Sequence, residues 1–366
     1  MPHWSRWSAR TCGRLRVYGP LPVGSLPATK SETLARAGVK VQADMSSTAP
    51  ATTRQQQTGG PPAAHLAPVG GTTRAAPAGR RRLIMSADDF GLSAGVNAGI
   101  IAAHRDGILG DASLMVSGAA FEEAVELARA TPTLSVGLHL VLVQGRASAA
   151  TSAVRSLVDA SGMFRRSPVV TGFRYFFSPG IRVQIEREVR AQLEKFTRSG
   201  LPLSHVDGHL NIHMHPTVLA ILLELAPAYG IRALRLPREP LGISLRLDRR
   251  SRFRKLLEAA TFRALTAYAR PRVAASGLRY PDQMFGLHQS GHVTEAYLLG
   301  VLEALPPGIT EIYTHAALVD AEARRWRPAD YESAAELAAL TSPRVRAALT
   351  AGGIERISYR DLLILA

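Results

Sequence analysis

One cysteine, Cys12, stands in 366 residues, and it lies far upstream of the segments that carry chemistry. No thiolate metal site or cysteine nucleophile can be built in those segments, and no intramolecular disulfide can form. That usage is compatible with a reducing compartment, and the expectation is a cytoplasmic protein. No G-x-S-x-G elbow accompanies the acidic and histidine groups, which argues against a serine hydrolase. The turn after the first good strand is acidic where a dinucleotide fingerprint would be glycine-rich. No apolar run approaches the roughly 18–20 residues of a membrane-spanning helix. A secretory signal is not expected either, because no compact apolar run follows the early arginines.

Composition divides the chain in two. Residues 1 to about 81 are rich in Ala, Pro, Thr, Gly and Arg, and 45–80 is of low complexity. Such a segment buries too little apolar surface to offset the entropy of ordering it, so a disordered extension is expected. A true start at Met45, or even near Met85, is compatible with that reading. Through Arg82 the segment carries 12 Lys/Arg against Glu32 and Asp44, which is +10 of the total +15. The remaining 32 basic and 27 acidic residues leave +5. The basicity is thus mostly a property of the extension, which lacks the Lys/Arg block and interleaved aromatics of a nucleic-acid arm. Nucleic acid is not an expected partner.

What is present is a set of carboxylates and histidines at the ends of strand-like runs. Arg82 to Ser86 reads as a short buried strand, and Asp88 and Asp89 follow it in SADDFGLS. Side chains alternate along an extended segment, so the two are expected to point apart, one to hold a metal and one to handle a proton. His139 lies in the apolar run LSVGLHL, where Gly137 leaves room for a close approach. His205, Asp207, His209, His213 and His215 fall within eleven residues. So dense a group is hard to explain as packing, because each buried ring nitrogen needs a partner. His315 ends the strand-like run TEIYT. These signals favour a metal-assisted hydrolase.

The SADDFGLS run, the GLHL segment, the HVDGHLNIHMHP run and the late EIYTH resemble the YdjC-type carbohydrate deacetylases, from Arg82 to the C-terminus. Within them IRALRLPREP, DQMFGL and SPRVRAAL are similar to the hopanoid-biosynthesis-associated branch. The resemblance implies a barrel-like α/β fold and removal of an N-acetyl group from an amino sugar. It implies Asp89, His139 and His209 as ligands of one divalent ion, magnesium or zinc, with Asp88 as general base and His315 as the late catalytic histidine. Asp207 is expected to orient a ring or position the sugar, and Asp207, His213 and Arg235 are the expected substrate contacts. Ala316 follows His315 where relatives often have proline, and Asn211 stands where some have a further histidine.

The chemistry also stands without the family. An acetamide is a poor electrophile. A divalent ion with three protein ligands keeps positions open, lowers the pKa of water from ~15.7 to roughly 7 in the best zinc cases, and stabilises an oxyanion. A carboxylate can then accept a proton and a histidine can give one to the departing amine. The implied substrate is an N-acetylglucosaminyl lipid of the hopanoid class. The alternatives are a soluble chito-oligosaccharide, or a non-catalytic basic module that binds lipid or nucleic acid.

From Arg82 onward the length suits one barrel-sized domain, 82–366, and strands alternate with helical patterns. Helices are expected at Asn97–Arg105, Phe121–Ala130, Ile181–Arg198, Pro216–Tyr229 and Glu295–Leu305. Further strands are expected at Ala112–Ser117 and Arg232–Leu236. Two stretches read as insertions, the aromatic Phe173–Phe177 and the basic Leu241–Val273. The latter reads as a solvated helix pair or as a peripheral contact with anionic lipid at the inner membrane face. A homodimer completes the expected partners.

Overall fold

Strand β1 (Arg81–Phe90) is the axis on which the fold is built, and the computed structural model describes residues 79–178 and 180–365 around it. The low-complexity extension and Cys12 lie outside the described residues. Nearly all of β1 is buried, as its apolar run requires. Six more strands join it: β2 (Asp111–Leu114), β3 (Ser135–Leu140), β4 (Val206–Gly208), β5 (Gln283–Phe285), β6 (Gly308–Thr314) and β7 (Ile354–Ile357). Every pairing is parallel, in the order β4-β3-β2-β1-β6-β5. β6 runs along one edge of β1 from Arg81 to Ala87. The other edge is shared, with β7 beside Arg81–Ile84 and β2 beside Ser86–Phe90. A chain beginning at Met85 would lose the residues that pair with β7.

The outer strands approach each other through short links. Val206 bridges Leu234, Ala233 bridges Arg279, and Met284 donates its N–H to Arg238 O at 3.0 Å. The expected strand Arg232–Leu236 is therefore only these isolated bridges, too brief for a ladder. The result is a barrel-like α/β domain with helices packed around a parallel sheet. Its core joins Leu83, Met85, Val136, Leu138, Val206 and Ile312 from the strands with Ile100, Val189, Leu222 and Leu298 from the helices.

Helices at Phe121–Ala130, Ile181–Arg198 and Pro216–Tyr229 follow the expected bounds. The helix after β1 begins earlier than expected, at Ala94, because the Ser93 side chain accepts from Val96 N and caps it. The aromatic insertion is a helix, Pro168–Phe177, started by Ser167 and proline. The basic segment forms a helix pair, Leu241–Leu247 and Arg252–Ala275. It is not wholly solvated: Lys255 is buried against Asp248 and Gln289.

Candidate active site

The ends of β1, β3, β4 and β6 converge, and the chain breaks its own periodicity to make them do so. A register shift between Ala87 and Phe90 marks a bulge in β1, and Asp89 sits at φ 70. The left-handed region is uncommon for a residue with a side chain and usually marks a functional or strained position. The expected alternation of Asp88 and Asp89 therefore fails. The bulge turns both carboxylates into the same cluster, because an inserted residue re-aims the side chain beside it. A second such device follows β4. Leu210 and Asn211 are both left-handed, at φ 53 and φ 54. They leave His209 at the mouth of the barrel and send Asn211, Ile212, His213 and Met214 inward.

Asp89 Oδ1 lies 3.5 Å from His139 Nε2 and 3.3 Å from His209 Nδ1. One ligand atom from each residue lies within 4.8 Å of the other two. Asp89 Oδ1 and His139 Nε2 are buried and have no hydrogen-bond partner. Buried polar atoms are normally paired, so two orphans facing one point, beside an imidazole nitrogen, fit a divalent cation. Formal charge agrees: the four carboxylates of Asp88, Asp89, Asp207 and Glu311 outnumber the guanidiniums of Arg235 and Arg327 and the His139 imidazole that meet them. Two imidazoles and a carboxylate suit zinc and other transition metals by ligand type.

Beneath this layer the groups are tightly paired. His139 Nδ1 donates to Asp207 Oδ1 at 2.8 Å, which directs Nε2 toward Asp89. Ser113 Oγ lies 3.0 Å from the same nitrogen and donates to Asp88 Oδ1 at 3.3 Å. Arg235 donates to both oxygens of Asp88 at 2.8 Å, and it also meets Asp207, Glu311, Ser86 and the face of Tyr313. Burial disfavours the charged His139 ring, but the Asp207 charge and hydrogen bond outweigh it and lift the imidazole to about 9. Burial likewise opposes ionisation of Asp89, yet the His209 contact and the Arg327 charge hold its carboxyl well below the usual range.

Asp207, His213 and Arg235, named above as substrate contacts, are all 0% exposed and form the floor of the site, where Asp207 orients the His139 ring. His213 Nε2 donates to Arg235 O at 3.0 Å, and burial lowers its pKa to about 4. The other histidines of the run are also absorbed by packing. The His205 ring stacks on Tyr359 at 3.9 Å and fills the space that a side chain on Gly137 would occupy. His215 caps the helix Pro216–Tyr229 by accepting from Thr217 N. Only His209, 15% exposed at its side chain, faces the cluster.

His315 stands beside this group, 8% exposed, with Nδ1 unpartnered. Burial lowers its pKa to about 4 against the pull of Asp89 and Asp88, so the ring is neutral near pH 7. Its backbone N–H donates to Glu336, whose carboxyl burial pushes up to about 7.

Two residues escaped the sequence reading. Arg327 donates through Nε to Asp89 Oδ2 at 3.1 Å and through Nη1 to His315 O at 2.6 Å, joining a candidate ligand to the late histidine. Glu311, on β6, accepts from Arg235, Ser86 and Tyr359. The signal for Glu311 was a carboxylate inside an otherwise apolar buried strand. For Arg327 there was none, since Arg324 and Arg325 precede it.

Known proteins share this arrangement of chain. The profile of the YdjC-like protein family matches residues 82–351. A carbohydrate deacetylase of Geobacillus stearothermophilus is 33% identical over 284 residues, covering 77% of this chain and 98% of that protein. One from Brevibacillus brevis is 48% identical over 150 residues, which span 41% of this chain and 57% of the relative. A crystal structure of a proposed cellobiose-phosphate cleavage protein from Enterococcus faecalis superposes with a TM-score of 0.60 at 28% identity, over 77% of this chain and 99% of that one. With most of the described domain matched by the profile and almost all of the Geobacillus protein aligned, the chain belongs to the YdjC-like protein family.

Proposed function

We propose that this carbohydrate deacetylase removes an N-acetyl group from an amino sugar by hydrolysis that depends on a divalent ion, held by Asp89, His139 and His209. The observation that carries the reading is the pair of buried, unpartnered atoms, Asp89 Oδ1 and His139 Nε2, beside His209 Nδ1. A bound ion there would make water acidic enough to react near neutral pH and would polarise the acetyl carbonyl.

The protein supplies the proton transfers and the orientation. Asp88 is the base. Arg235 fixes its plane from below, and Ser113 occupies a second acceptor position on Oδ1, which leaves a free lone pair on Oδ2. His315 is neutral at rest, so it must gain a proton during the reaction before it can give one to the departing amine. Asp207 holds the His139 ring in the tautomer that leaves Nε2 free, and Arg327 holds Asp89 from the side away from the histidines.

The sugar is carried on a lipid of the hopanoid class, on the strength of the IRALRLPREP, DQMFGL and SPRVRAAL runs. Exposed apolar residues on the basic helix Arg252–Ala275, Phe253, Leu256 and Leu257, suit contact with a lipid surface. Among the described residues no helix is long and apolar enough to cross a membrane. The test is acetate release from an N-acetylglucosaminyl hopanoid by the purified full-length chain loaded with zinc or magnesium. Release that a chelator abolishes supports the reading. Release only from soluble chito-oligosaccharides would overturn the lipid assignment and keep the reaction.

A further inference from the structure

A cavity of about 640 Å³ opens between the segment after Arg235 and one face of the helix Arg252–Ala275. Its helical wall is made by Leu256, Ala259, Ala260, Arg263, Ala267 and Arg270. Their spacing of three or four residues is one stripe of an α-helix. Alanines at the middle of that stripe leave a trough where larger side chains would have closed it. The opposite wall carries Pro237, Leu241 and Leu287, and arginines stand at the rim. The His288 ring also lines the space, 1% exposed, and its Nε2 has no hydrogen-bond partner.

The cavity adjoins the active site across one shared packing layer. Leu287 and Phe262 pack with Met284 and Tyr313 in one apolar cluster. The Tyr313 ring in turn lies 5.7 Å from that of His315 and under the Arg235 guanidinium. A single aromatic layer therefore separates the trough from the late histidine. Its volume falls in the range that holds a small-molecule ligand, and its lining is mainly apolar with a few polar groups, of which Thr266 Oγ donates to Pro237 O and His288 Nε2 has no partner.

We infer that this cavity binds the apolar aglycone of the substrate, an alkyl or polycyclic body with one hydrogen-bonding group for His288, while the attached amino sugar reaches the Asp89–His139–His209 cluster. This rests on the lipid-linked reading above and adds where the apolar part sits. Apolar contact distant from the reacting amide acts as uniform binding, so it lowers KM and leaves kcat unchanged.

The experiment uses dodecyl and methyl N-acetylglucosaminides with the full-length, zinc-loaded protein, below the micelle concentration of the dodecyl compound. The expected kcat/KM for the dodecyl glycoside is at least about tenfold higher, a gain that about two buried methylenes supply. Ala260→Trp fills the trough from an exposed helical position. It should bring the ratio to within about threefold and leave the methyl glycoside and the bound zinc unchanged. Equal rates for the two glycosides in the native protein, or a ratio that Ala260→Trp preserves, would overturn the inference. Calorimetric binding of the dodecyl glycoside separates the two readings. Binding that Ala260→Trp abolishes, with neither glycoside turned over, keeps the cavity and sinks the proposed reaction.

Discussion

The floor and the mouth of the site are built from the same residue types and differ in how completely those residues are paired. In the floor, Asp88, Asp207 and Glu311 each have an Arg235 nitrogen within 2.8 Å. In the mouth, Asp89 Oδ1 and His139 Nε2 have no hydrogen-bond partner and approach each other only to 3.5 Å. A buried ion pair leaves little for a ligand to gain, whereas an orphaned buried donor set is costly until something fills it. Contact with Arg235, more than residue identity, therefore marks the framework, in which His205 Nε2 and His213 Nδ1 are also buried without a hydrogen-bond partner.

The sharpest way to test that division is to cut each layer once. His139→Ala removes a mouth ligand and should abolish both tight zinc binding and turnover. Asp88→Asn keeps the mouth intact, so zinc binding by calorimetry should persist while kcat falls about 10²–10⁴-fold, the usual worth of a general base. Equal loss of metal in both variants would erase the boundary between the layers.

The two arginines offer a finer break. Arg235→Leu would strand three carboxylates in the floor, and removing one partner of a buried pair costs about 3–5 kcal/mol. The denaturant midpoint should drop sharply even without metal. Arg327→Gln acts on the mouth, where it releases Asp89 Oδ2 and the His315 carbonyl. Loss of such a supporting contact should weaken zinc affinity about 10–100-fold and shift stability far less. A reversed pattern, with Arg327 carrying the stability and Arg235 the affinity, would show that the layers are misassigned.

The resemblance singled out Asp89, His139 and His209, and each falls at or just after a strand end, where a parallel barrel gathers side chains on one face. The floor had no such signal. Choosing among His205, His209, His213 and His215 required two left-handed residues, Leu210 and Asn211, that no local pattern announces. The bulge at Asp89 is hidden for the same reason, because alternation is the default and its violation depends on tertiary fit. Arg235, in the IRALRLPREP run, was expected to contact substrate. Only the barrel shows that three carboxylates, from β1, β4 and β6, already consume it. Arg327 is the hardest case, as Arg324 and Arg325 share its charge and stay exposed.

Asp111 gives a separate test of saturation, since it is a buried carboxylate with no ion pair among the described residues. Burial pushes its pKa up to about 8, against the Tyr359 N–H hydrogen bond and the Arg360 charge. Its ordinary value is about 3.9, so the folded state holds the proton more tightly than the unfolded one. The associated stability is full below about pH 4 and is lost as pH rises through 8. Asp111→Asn retains an oxygen for Tyr359 N and cannot ionise. It should lie within about 1 kcal/mol of the parent protein near pH 4.5 and exceed it by up to about 5 kcal/mol at pH 8. Denaturant midpoints at the two pH values measure the difference. Parallel behaviour of variant and parent would mean that Asp111 is accommodated as an anion, and that unpaired burial alone does not mark a carboxylate as costly in this fold. A growing advantage for the variant would extend the rule from the site to the barrel: a carboxylate here is framework when a cation meets it and a liability when none does.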